Sequence, residues 1–98
     1  MQEISVQDLK SSLERQEKIV LVDVRQPEEF AASHLPDAQL IPLAELPRRF
    51  TELRKDDRIV VNCKAGGRSA HAVEFLMNQG FTNVANLIGG NDRWQSEA

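Results

Sequence analysis

Apolar and polar positions alternate along the chain with two different periods. Val6, Leu9 and Leu13 recur at i, i+3 and i+7, the spacing of one helical face. Ser5 stands ahead of them as an N-cap, with Asp8 three residues on, near the positive end of the helix. Ile19 to Val24 opens with four uninterrupted aliphatic residues, the mark of a strand covered on both faces. Pro27, followed by Glu28 and Glu29, starts a short helix with proline at its first position. Residues 34–38 read as a loop, and Leu40-Ile41 as a short strand stopped by Pro42. Leu43, Leu46, Phe50 and Leu53 form a second helical stripe, in which Pro47 must lie in the first turn or split the helix. Arg58 to Asn62 is a second clear strand. Ser69 to Gln79 has helical spacing, and Gly80 is its stop. Asn83 to Leu87 is a last short strand, and Gly89-Gly90 leads into a terminal turn or helix bearing Trp94. Strands alternating with helices predict a parallel sheet with helices on both faces, an α/β fold occupying residues 1–98 as one domain.

Composition narrows the function classes. Ninety-eight residues leave room for one core. Twelve basic residues against fifteen acidic ones give a net charge of −3, with no basic tract, which argues against nucleic acid as a partner. The longest aliphatic run, Ile19-Val20-Leu21-Val22, falls far below the ~20 residues of a membrane span. Met1 to Ile4 shows no basic segment leading into an apolar one, so no signal peptide is visible; the single cysteine points to the reducing cytosol, and a cytoplasmic monomer is expected. One cysteine and two histidines support neither an internal disulfide nor a zinc site. No GxGxxG or nucleotide P-loop occurs, so no cofactor is expected.

One segment carries chemistry. Val60 to Ala70 runs strand, loop, helix, and places Cys63 at the carboxyl end of a strand, where open α/β sheets bind ligands. Gly66 and Gly67 allow the backbone to turn tightly and aim successive N–H groups inward, as an anion-binding nest does. The next helix adds its unpaired N–H groups, and Lys64 and Arg68 add positive charge. Such surroundings lower a cysteine pKa and favour the thiolate. A lone cysteine is more often a small buried hydrophobe, but its place between a strand and a cation-flanked glycine loop outweighs that reading. A plain phosphate loop fits poorly, because Gly66-Gly67-Arg68-Ser69 lacks the Lys-Ser/Thr pair.

Cys63-Lys64-Ala65-Gly66-Gly67-Arg68-Ser69 resembles the active-site loop of the rhodanese sulfurtransferase family. Leu21 to Phe30, His34 to Ala38 and Ile41-Pro42-Leu43 resemble the family's N-terminal signature, and Gly80-Phe81, Asn83-Val84, Leu87, Gly89-Gly90 and Trp94 its C-terminal end. Ile4 to Lys10 is also similar to rhodanese domains fused to adenylyltransferases of sulfur-carrier pathways. The resemblance implies a five-stranded, mostly parallel sheet with helices on both faces. It implies a double displacement in which Cys63 takes a sulfane sulfur from a small anionic donor such as thiosulfate. The resulting persulfide then yields its sulfur to cyanide or a thiol, including a protein thiol such as thioredoxin or a sulfur carrier. Carried over by residue, Cys63 is the nucleophile, the backbone from Lys64 through Ala65, Gly66, Gly67 and Arg68 to Ser69 cradles the transferred sulfur, and Arg68 and Lys64 hold the donor. Related phosphatases carry Cys-x5-Arg, whereas Cys63 to Arg68 is Cys-x4-Arg, a ring sized for a sulfur atom. Ser33 and Asp37 stand where relatives commonly carry glycine, and the stretch before Trp94 is more polar than the family's.

The remaining polar residues read as structural. Asp23 and Arg25 fit an ion pair or loop anchor near the site, His34 a hydrogen-bonded structural residue, and His71 a solvated one. Trp94 fits core or pocket rim. Two functional classes stay open: an enzyme acting on small donors, and a relay component that receives sulfur from one protein and gives it to another in cofactor or tRNA thiolation.

Overall fold

The computed structural model describes residues 1–97. Five strands, β1 (Gln2–Ile4), β2 (Val20–Asp23), β3 (Gln39–Leu40), β4 (Ile59–Asn62) and β5 (Val84–Leu87), form one sheet in the order β1-β5-β4-β2-β3. Every neighbouring pair is parallel. The helices are α1 (Val6–Glu14), α2 (Pro27–Ala32), α3 (Leu46–Arg49), α4 (Gly67–Asn78) and α5 (Gly90–Ser96).

Side chains alternate across the strands and fill two cores. On one face Val22, Ile59, Val61 and Val84 pack with Leu46 of α3 and Ala72, Val73 and Leu76 of α4. On the other, Leu21, Val60 and Leu87 pack with Val6 and Leu9 of α1 and Trp94 of α5. Full burial of each such aliphatic side chain is worth about 1.5–3 kcal/mol. Ser5 caps α1 as its sequence predicts, its hydroxyl accepting the Asp8 N–H at 3.0 Å. Among the described residues no helix is long and apolar enough to cross a membrane.

One detail departs from the sequence reading, and another settles an alternative it left open. Ile4, read only as an apolar start, belongs to an edge strand whose partner is β5, with Gln2 opposite Ala85 and Ile4 opposite Leu87. Pro47 splits the second helical stripe: a 3₁₀ turn at Leu43–Glu45, one turn of α-helix at Leu46–Arg49 and a 3₁₀ turn at Phe50–Glu52. The missing proline N–H cannot support a longer α-helix there, and the tighter turns take its place while keeping Leu46 and Leu53 buried.

The strand order positions the site. β2 leads to β3 on one side, and β4 leads to β5 on the other. The winding therefore reverses between the neighbours β2 and β4, and the crevice beyond their carboxyl ends is the ligand position in this architecture. Cys63 follows β4, and Val24-Arg25 follows β2.

Candidate active site

Cys63 leaves β4 with its side chain on the α4 face of the sheet, among buried aliphatic residues, and is 2% exposed as a free thiol. The chain then turns through Lys64, Ala65 and Gly66 into α4. Gly66 makes the turn with φ of +121°, a value that side-chain-bearing residues rarely adopt. That conformation aims its N–H back at the sulfur, donating to Cys63 Sγ at 3.0 Å. Ser69, fully buried in the first turn of α4, sets its hydroxyl 3.3 Å from the same sulfur. Burial pushes the Cys63 thiol up. The Ser69 hydroxyl and the N–H groups of Ser69, Gly66 and Ala65 together outweigh it, so the thiol titrates below its ordinary value. The nest read from the two glycines is thus built by Ala65, Gly66 and Ser69.

Asn86 in β5 supports this loop from beneath. Its Nδ2 donates to the Gly66 carbonyl at 3.2 Å, and its Oδ1 accepts from the Ser69 hydroxyl. The Ser69 hydroxyl also lies 3.2 Å from the Gly66 carbonyl. On the opposite side, the start of α5 seals the strand end: Asn91 N–H donates to the Cys63 carbonyl at 2.8 Å, and Asp92 N–H to that of Lys64 at 3.0 Å. A Cβ on Gly90 would collide with the Cys63 carbonyl oxygen and lie 2.7 Å from that of Lys64. Gly90 is the residue that lets α5 approach so closely.

The two loop cations are both engaged. Arg68 donates from Nη1 and Nη2 to the Glu29 carboxylate of α2, at 2.8 and 3.0 Å. This fork–fork pair, helped by the Gln26 N–H that Glu29 also accepts, holds the Glu29 carboxyl down at about 2. Lys64 reaches Asp92 at 2.8 Å in a pair whose side chains are 62% and 55% exposed. Neither acid was singled out from the sequence as a site residue, since 39 and 28 residues separate the partners. Asn86 was missed because an asparagine inside a short strand gives no signal of what it faces.

The β2 side is a buried ion pair. Asp23 accepts Arg25 Nη2 at 2.8 Å and the Arg25 N–H at 3.0 Å, while Arg25 also reaches the Ser33 carbonyl at 2.7 Å. The pair anchors the chain after α2, the role expected for it. His34 stacks on Phe30 with ring centroids 3.9 Å apart, and its Nδ1 lies 2.9 Å from the Phe30 carbonyl, a local brace at the end of α2.

A model of the rhodanese-like domain matches residues 5–97. The chain belongs to the rhodanese-like family. This rhodanese-like domain is 40% identical over 92 residues to a sulfurtransferase of Allochromatium vinosum, covering 94% of this chain and 86% of that one. It is 36% identical to the putative sulfur carrier protein YrkF of Bacillus subtilis, over 94% of this chain and 50% of that one. The structure of a rhodanese-related protein from Thermoplasma volcanium superimposes on it with a TM-score of 0.91 at 32% identity, covering 100% of this chain and 94% of that one. The expected fold, a five-stranded, mostly parallel sheet with helices on both faces, is the one found, with every strand pair parallel. Sulfur transfer in general is the chemistry that these relatives support for this rhodanese-like domain.

Proposed function

We propose that the domain transfers a sulfane sulfur through a persulfide on Cys63, from a donor such as thiosulfate to a nucleophile such as cyanide or a thiol. The observation that carries this reading is the convergence of the Gly66 N–H and the Ser69 hydroxyl on the Cys63 sulfur. The Cys63 thiolate attacks the outer sulfur of the donor. A sulfur–sulfur bond forms to Cys63, and the donor's own bond to that sulfur breaks, its electron pair leaving with sulfite or a thiolate. The acceptor then attacks the terminal sulfur and regenerates the Cys63 thiolate. Hydrogen-bond donors fixed before reaction stabilise charge on both sulfurs without reorganisation.

The test is thiocyanate formation from a sulfane-sulfur donor and cyanide, with Cys63→Ser as the comparison. The substitution removes turnover while thermal unfolding stays close to wild type. Turnover at the wild-type rate in Cys63→Ser would overturn the assignment.

A second reading is favoured by the engaged cations: a relay domain, loaded by one protein thiol and unloaded onto another. It uses the same Cys63 chemistry with a macromolecular donor.

A further inference from the structure

The mouth of the site is electrostatically balanced. Arg68 is matched by Glu29, Lys64 by Asp92 and Arg25 by Asp23. Three cations face three carboxylates, so the charge left over is that of the Cys63 thiolate itself. A donor dianion approaching this sulfur meets like charge, and Arg68, Lys64 and Arg25 each already face a carboxylate. Two of the Arg68 N–H groups are already committed to Glu29, and the carboxylate they bind offsets the guanidinium charge that a donor anion would meet. Lys64 sits in an exposed pair, which holds it only loosely, but Asp92 cancels its field at the distance of a donor whether or not the pair is closed.

We infer that Glu29 and Asp92 determine donor specificity: by neutralising Arg68 and Lys64 they tune Cys63 to sulfane-sulfur donors carrying at most one negative charge, of the alkyl persulfide class, over the thiosulfate dianion. The inference rests on the sulfur-transfer reading of Cys63. For an alkyl persulfide R–S–SH, the Cys63 thiolate bonds to the terminal sulfur, the R–S to sulfur bond breaks, and R–S⁻ departs with the electron pair. The proton remains on the new Cys63–S–SH. No oxidant or reductant is consumed.

Two donors of similar shape isolate the charge: thiosulfate, a dianion, and methanethiosulfonate, in which a methyl replaces one oxygen and one charge. With cyanide as acceptor, the readout is the ratio of kcat/KM for thiosulfate to that for methanethiosulfonate. Asp92→Asn and Glu29→Gln each raise this ratio by about 3–10-fold at low ionic strength, and the gain fades toward 1 M salt as screening shortens to about 3 Å. Adding Lys64→Gln to Asp92→Asn returns the ratio toward wild type. Asp56→Asn makes the same change in net charge in the turn before β4, at the end of that strand away from Cys63, and leaves the ratio unchanged. Transfer from cysteine persulfide stays within twofold of wild type in Asp56→Asn. A ratio that stays at the wild-type value in both Asp92→Asn and Glu29→Gln, or that Asp56→Asn raises equally, overturns the inference while leaving sulfur transfer standing. A wild-type protein that accepts sulfur from none of the three donors overturns the sulfur-transfer reading and this inference with it.

Discussion

The Ser69 hydroxyl stands 3.3 Å from the Cys63 sulfur and, in the same position, hydrogen-bonds the Asn86 side-chain oxygen. A hydroxyl has one proton to give. When Cys63 is a thiol that proton satisfies Asn86, and a charged sulfur competes for it because hydrogen bonds to ionised acceptors are the stronger ones. Ser69→Ala therefore raises the Cys63 pKa, which ultraviolet thiolate absorbance against pH reports directly. Below that midpoint, where the thiol form dominates, alkylation of Cys63 slows by up to about tenfold, the worth of a charge-assisted hydrogen bond of ~1.5 kcal/mol. An unchanged titration would assign the lowered pKa to the loop amides alone.

Gly90 tests how closely α5 must approach the loop. Alanine there meets the Cys63 and Lys64 carbonyls and a φ of +57°. Gly90→Ala lowers stability by roughly 2–4 kcal/mol, the scale of a backbone collision added to a strained dihedral. Equilibrium denaturation measures it, and a loss below about 1 kcal/mol would show that α5 can move away freely.

The Arg68–Glu29 pair leaves a pH signature. The folded Glu29 carboxyl is depressed to about 2 from its ordinary 4.5, chiefly by the Arg68 guanidinium. Its contribution to stability is fully present above pH 4.5 and is lost as pH falls through about 2. The difference in thermal stability between wild type and Glu29→Gln accordingly holds constant at neutral pH and closes across that acid window. Both side chains are about one-third exposed, so the difference is small and shrinks further in salt. A difference that closes only above pH 5 would mean that the pair does not form.

Loop length is tested by inserting one residue between Ala65 and Gly66. The Gly66 N–H reaches the sulfur at 3.0 Å because the turn from Cys63 is short. The insertion withdraws that donor and lowers sulfur transfer at least tenfold, while surface-loop entropy costs stability little. Paired measurements of thermal unfolding and turnover check it. Unimpaired turnover would show that loop length does not select sulfur.

The strands β2, β4 and β5, the Ser5 cap and helix α4 were legible because each is specified locally, by an aliphatic run, a capping hydroxyl or a helical stripe ended by Gly80. Cys63 was legible for the same reason, since its loop is a continuous motif. What escaped the sequence is pairwise and distant. Gln2–Ile4 is a strand only because β5 lies beside it, and one buried residue in three carries no period. Glu29 and Asp92 look like ordinary helix-start acids until the fold sets them against Arg68 and Lys64. The cations were therefore visible and their compensation was not. Pro47 allowed two outcomes, and the split was decided by the need to bury both Leu46 and Leu53.

The mass of the intact protein after exposure to a sulfane-sulfur donor, cysteine persulfide or concentrated thiosulfate, tests the Cys63 persulfide most directly. The expected result is a gain of one sulfur atom, located on the peptide containing Cys63, reversed by cyanide with release of thiocyanate and lost in Cys63→Ser. A wild-type protein whose mass does not change, or a Cys63→Ser variant that gains the same sulfur, would contradict it.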